Sequence, residues 1–278
     1  MSRITPPLAR PVAFIGGGNM ATAILGGLLR EGLQPGLVDV VDPGDEARAR
    51  LQREFGVAVH AAPGAALARA ALVVWAVKPQ TFRDAAAQVA PHAPGALHLS
   101  VAAGIRSGDI ARWLGSERVV RSMPNTPALV GQGMTALYAR AAVLPADRAL
   151  VEQVLAPTGQ LLWVAAEEQL DAVTALSGSG PAYVFYFIEA MTEAGVAMGL
   201  PAEQARQLAV GTFRGASELA ARSDEPPSVL RERVTSKGGT TYAALESMRA
   251  DGVAPRFITA MQAACKRATE LGDEFGRG

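Results

Sequence analysis

Short apolar runs alternate with amphipathic stretches from residue 12 to about residue 164. Residues 12–15, Val-Ala-Phe-Ile, form a run rich in branched side chains, which suits a buried strand. The runs at 37–41, 57–59, 72–77, 97–101, 119–120, 133–138 and 161–164 read the same way. Between them lie helical periodicities. The first passes through Ile24, Leu25 and Leu28 and stops at Gly32; others cover 47–55, 63–70, 81–89, 107–114 and 146–155. Strand–helix alternation over this length predicts an α/β fold, a mainly parallel sheet covered by helices with right-handed crossovers.

Beyond residue 165 the strand signals vanish. Helices are expected at 170–176, 182–198, 201–220, 229–234, 241–249 and 255–271, with Ser177-Gly178-Ser179-Gly180-Pro181 as an interruption. The stretch 182–196 is too apolar for any face to be solvated, so it reads as the core of a bundle completed by a partner subunit; burial within one chain is the simpler alternative. The pattern therefore divides the chain into a strand–helix domain, 1–165, and an all-helical domain, 166–278, whose apolar helix points to dimerisation.

Charge and composition narrow the function. Lys plus Arg balance Asp plus Glu at 26 each, which gives no electrostatic footprint for nucleic acid. No run of 18 apolar residues predicts a membrane span, and the first ten residues are too short and polar for a secretion signal, so a cytoplasmic protein is expected. A single cysteine, Cys265, leaves no disulfide framework, and no clustered Cys/His pattern calls for a metal. The histidines, His60, His92 and His98, have no evident acid–base role, and the Ser177–Gly180 turn has no neighbouring histidine to activate it as a hydrolase nucleophile.

Candidate chemistry gathers at the ends of the predicted strands. Gly16-x-Gly18-x-x-Ala21 follows the first strand and opens a helix. Gly16 permits the sharp turn, Gly18 leaves room for a diphosphate, Ala21 lets the helix pack closely, and the N–H groups of Asn19 and Met20 would face the phosphates. Asp42 ends the second strand, where an acid accepts hydrogen bonds from the adenosine ribose and repels a phosphate on it; Arg48 and Arg50 are placed to reverse that preference, and a plain turn role for Asp42 is equally open. Lys78 follows the fourth strand, either facing a cofactor or solvated. Ala102 and Gly104 form a turn after the fifth, and Asn125, in the loop Arg121-Ser122-Met123-Pro124-Asn125-Thr126-Pro127, either bonds a nicotinamide or holds that loop. In the second half, Thr235-Ser236-Lys237-Gly238-Gly239-Thr240-Thr241 precedes a helix. Exposed amides and hydroxyls there suit a carboxylate, and an unoccupied helix cap is the even alternative.

Five ordered segments resemble the pyrroline-5-carboxylate reductase family over nearly the whole chain: Phe14 to Met20, Ala76 to Pro79, Arg121 to Ala128, Ser177 to Tyr183 and Val234 to Leu245. The resemblance implies a Rossmann-type domain and a helical dimerisation domain. It implies reduction of the cyclic imine 1-pyrroline-5-carboxylate to L-proline by NADPH or NADH, a homodimer, and in some members five dimers in a decamer. It implies that Ser236, Gly238 and Gly239 form the region holding the substrate carboxylate, that Thr241 stands near the ring nitrogen, and that Asn125 and the Ala102–Gly104 turn lie on the cofactor side; Thr240, by its own hydroxyl, is a further substrate-binding candidate. Lys237 departs from the pattern, since the family usually has proline there; the loop loses a fixed φ and gains a charge. A related 3-hydroxy acid dehydrogenase would want a lysine early in the helical domain, and residues 170–198 contain none. A non-enzymatic NADPH-binding redox sensor would keep the glycine turn without the substrate loop.

Overall fold

The computed structural model describes residues 9–276. By contacts the chain forms two compact units: Met1–Gly178 with Ala264–Gly278, and Ser179–Ala263.

The first unit is built on an eight-stranded sheet. Its strands are β1 (Val12–Ile15), β2 (Val38–Val41), β3 (Ala58–His60), β4 (Leu72–Trp75), β5 (Leu97–Ser100), β6 (Val119–Met123), β7 (Gly133–Ala139) and β8 (Gly159–Trp163). They lie in the order β3-β2-β1-β4-β5-β6-β7-β8, parallel throughout except where β7 returns antiparallel to β6. Successive side chains on a strand point to opposite faces, and both faces here are dry. On β1, Val12 and Phe14 join a core with Ile24, Leu25 and Leu28 of α1 (Asn19–Arg30), Leu51 of α2 (Asp45–Phe55) and Val151 of α5 (Pro145–Leu155). Ala13 and Ile15 join the opposite core with Phe82 of α3 (Pro79–Val89) and Ile110 of α4 (Ser107–Leu114). Each large side chain so buried contributes about 2 kcal/mol, which explains why continuous apolar runs, rather than alternating ones, mark these strands.

Two local expectations change. The helix expected at 63–70 is a 3-10 turn, Ala65–Arg69, because Pro63-Gly64 and the start of β4 leave room for little more than one turn. β6 continues through Arg121, Ser122 and Met123, although its sequence turns polar after Val120. Ser122 pays no penalty for burial because its hydroxyl donates to the Ser100 carbonyl at 2.8 Å, and Arg121 is held by Glu167 at 3.0 Å.

The remainder of the first unit is α6 (Gln169–Val173), a π turn (Thr174–Gly178) and the end of α11 (Val253–Gly276). The second unit is helical: α7 (Gly180–Ala197), α8 (Ala202–Arg222), α9 (Pro227–Arg233), α10 (Thr240–Ala250) and the first turns of α11. α7 and α8 approach closely at Gly195, where a Cβ would stand 2.9 Å from that of Ala205. Tyr183 and Phe187 of α7 meet the ring of Phe257 edge-on, each with centroids 5.6 Å apart. The apolar stretch 182–196 is not enclosed by its own chain: Gly195 is its only buried residue, and Phe185 and Tyr186 are 59% and 68% exposed.

Candidate active site

Parallel strands in one sheet end along one edge, and ligands of open α/β sheets bind outside that edge where the winding reverses. Here β2 and β4 flank β1, so the switch lies at β1. Asp42, Gly16, Lys78, Ala102 and Asn125 all fall just beyond the carboxyl ends of β2, β1, β4, β5 and β6.

The glycine turn is shaped as its spacing demands. Gly16 has φ +93°, and a Cβ on it would stand 2.6 Å from the Ala76 carbonyl. Gly17 is closed in by Leu51. Gly18 is open, with nothing within 4 Å of a Cβ position. It is also the N-cap of α1, and no side chain caps that helix, so the N–H groups of the first turn have no side-chain partner. A tight turn beneath an open glycine and an uncapped helix start fits a diphosphate, and Gly16, Gly18, Asn19 and Met20 are the residues that would hold it.

Asp42 does more than end β2. One carboxylate oxygen accepts the Gly17 N–H at 2.7 Å and the other accepts the Gly44 N–H at 2.8 Å, so the acid links the glycine turn to the start of α2. Arg48 donates to the Asp42 carbonyl and pairs with Asp45, while Arg50 donates to the Gly17 carbonyl and lies against Thr22. Lys78 is exposed and is the N-cap residue of α3. The Ala102 N–H bonds the Ser100 hydroxyl at 3.2 Å, and Gly104, at φ +76°, sits under Phe275 and Leu271 of α11. Asn125 donates to the carbonyl and hydroxyl of Ser177 at 3.3 and 3.2 Å and accepts the Met134 N–H at 2.9 Å. Its side chain thereby ties the loop after β6 to the π turn and to β7.

The second candidate group lies in the second unit. Gly238, at φ +75°, and Gly239 lead into α10, and the Gly239 N–H closes the turn onto the Ser236 carbonyl at 3.0 Å. Gly239 is the N-cap, so none of the hydroxyls of Ser236, Thr240 and Thr241 caps the helix. An uncapped, glycine-led helix start flanked by three hydroxyls is suited to a carboxylate. Lys237 is exposed beside it.

A buried charge network escaped the sequence pattern. Arg106 makes two bonds to Asp171, at 3.0 and 2.7 Å. Arg121 pairs with Glu167, and Thr269 donates to Asp171. Glu167 also accepts both the N–H and the hydroxyl of Ser107 at 2.6 Å, capping α4 from a distant segment. Burial pushes the Arg121 guanidinium down from its ordinary value, against the pull of Glu167. The one sequence signal was an arginine set directly after two strand valines.

Two family models match the chain. The pyrroline-5-carboxylate reductase dimerisation model covers residues 167–271, and a model of coenzyme F420-dependent NADP oxidoreductases covers residues 11–104. A pyrroline-5-carboxylate reductase of Pseudomonas aeruginosa is 44% identical over 268 residues, 96% of this chain and 98% of that one. This chain belongs to the pyrroline-5-carboxylate reductase family. Among solved structures, the family's enzyme from Coxiella burnetii superposes with TM-score 0.89 at 35% identity, covering 95% of this chain and 99% of that one. The Plasmodium falciparum pyrroline carboxylate reductase, solved with NADP bound, superposes at 0.84 with 28% identity, over 95% of this chain and 98% of the other. Among the described residues no helix is long and apolar enough to cross a membrane, and no group of three or more His, Cys, Asp or Glu is placed to hold a metal.

Proposed function

We propose that this protein reduces 1-pyrroline-5-carboxylate to L-proline with NADPH, or with NADH, as the last step of proline biosynthesis in the cytoplasm. The observation that carries the reading is likeness to pyrroline-5-carboxylate reductases along the full length, 96% of the chain at 44% identity in one relative. The open Gly18 above a closed turn supports it physically. The dinucleotide, when bound, supplies the hydride. Residues 1–165 serve that dinucleotide, and residues 166–278 serve dimerisation and the imine. Gly16, Gly18, Asn19 and Met20 hold the diphosphate, and Asp42 lies at the ribose. Lys78, Ala102, Gly104 and Asn125 shape the nicotinamide side, Asn125 by holding its loop. Ser236, Gly238, Gly239 and Thr240 bind the substrate carboxylate, and Thr241 hydrogen-bonds the ring nitrogen.

An imine asks little of the protein's own acids. Its nitrogen is basic enough to take a proton from water, so the carbon is activated without a histidine, and reduction then needs alignment. The scaffold supplies alignment: two glycine-led helix starts and a set of hydroxyls. The working assembly is a homodimer through the exposed face of α7, alone or as five such dimers.

Incubation with NADPH and the imine, followed by nicotinamide absorbance and product identification, tests the reading. Imine-dependent oxidation with proline as product is expected. A protein that binds NADPH and leaves the imine intact would return the redox-sensor reading.

A further inference from the structure

Gly17 is gripped from both sides by opposite charges. Its N–H donates to Asp42 Oδ2 at 2.7 Å, and its carbonyl accepts from Arg50 Nη2 at 2.9 Å. Arg50 comes from α2, and both its terminal nitrogens also lie 3.2 Å from the Thr22 hydroxyl on the first turns of α1. Glu54, one turn further along α2, stands 3.6 Å from the same guanidinium. Both terminal nitrogens of Arg50 are thus engaged by the turn, the helix start and its own helix.

A trans peptide plane carries its carbonyl and the next N–H in opposite directions. Fixing the Gly17 carbonyl toward α2 therefore fixes the Gly18 N–H on the side away from α2. Gly18 is the open residue of the turn. We propose that Arg50 is a positioning residue that sets this amide for the diphosphate, the part shared by NADH and NADPH, and that it is not the receptor of a ribose phosphate. The proposal rests on the reading of the Gly16–Gly18 turn as a dinucleotide site. It assigns the two neighbours different tasks: Asp42, at the end of β2, both holds the Gly17 N–H and lies where the two cofactors differ, while Arg50 acts through the backbone alone.

The test is calorimetric binding of NADH and of NADPH to the wild type, Arg50→Ala, Arg50→Lys and Asp42→Ser, with melting temperature recorded for each. Arg50→Ala is expected to weaken both cofactors by the same factor, about tenfold, the worth of one charge-assisted hydrogen bond. Arg50→Lys should recover part of the loss, since a lysine offers one point charge in place of a fork. Asp42→Ser should instead move the ratio toward NADPH by removing a like charge. A loss confined to NADPH in Arg50→Ala would make Arg50 a phosphate receptor and overturn the proposal. Unchanged dissociation constants with a lowered melting temperature would reduce Arg50 to a structural residue and overturn it equally. Should Arg50→Ala fail to fold, Arg50→Gln carries the same comparison. Wild-type protein that binds neither cofactor would overturn the site itself, a result separate from any outcome in the variants.

Discussion

His98 shows how a single side chain couples this core to pH. It lies on β5 and accepts the indole N–H of Trp75 at 3.2 Å, while Trp75 stacks on Phe82 with centroids 4.8 Å apart. Burial, helped by the positive charge of Arg118, pushes the imidazole down to about 4. The folded state therefore refuses a proton that the unfolded chain accepts near 6.5. The contribution of His98 to folding stability is full above that value and falls as pH drops from about 6.5 to about 4, at up to about 1.4 kcal/mol per pH unit. Urea unfolding across this range should show the slope, and His98→Gln, which keeps an acceptor for Trp75, should flatten it. Thr241 calls for a kinetic test at the same scale. If its hydroxyl orients the imine, Thr241→Ala should cost on the order of 100-fold in turnover, since a misplacement of about 1 Å has that effect. NADPH affinity should be nearly unchanged, and Thr241→Ser should keep much of the rate. Equal turnover in Thr241→Ala and the wild type would leave Thr241 as a helix-start residue only.

Between elements, the Arg121–Glu167 and Arg106–Asp171 pairs fasten β6 and α4 to α6 and to the end of α11. Charges removed from water are costly, and a buried one left alone is costlier still. Glu167→Ala should therefore destabilise the fold by about 3 kcal/mol in urea titration, because it leaves the buried Arg121 only a longer pair with Asp171, at 3.9 Å, and uncaps α4. Glu203→Ala, which breaks an exposed pair with Arg206, should have no measurable effect. The same contrast explains what the sequence disclosed. The β1–turn–α1 unit was legible because its determinants, a branched run, glycines and a helical period, lie within twenty residues of one another. The loop before α10 was legible for the same reason. The charge network was not, since Thr269 and Asp171 are 98 positions apart and neither sits in a local pattern. Likewise Asn125 read as either a ligand contact or a loop tie, and its three bonds to Ser177 and Met134 supply the tie.

At the scale of the molecule, α7 carries the strongest expectation. Phe185, Tyr186 and Met191 are exposed in the single chain, and the stretch 167–271 matches a dimerisation model. An apolar helix left bare in water needs a partner. Sedimentation at low micromolar concentration should show no dominant monomer, with a ten-chain mass if five dimers assemble. A monodisperse and fully active monomer would reject this face as an interface.

The last helix, finally, makes the first unit discontinuous. Its residues from Ala264 onward belong to the sheet-containing unit, where Leu271 and Phe275 cover Gly104 and Gly272 backs onto the Arg106 guanidinium. A ribosome delivers the sheet first and that cover only after the whole intervening unit of residues 179–263 has been synthesised. The nascent sheet thus waits through the synthesis of residues 179–263 with its fifth-strand turn uncovered. Synthesis of the end of α11, rather than completion of the sheet, is the event that seals it.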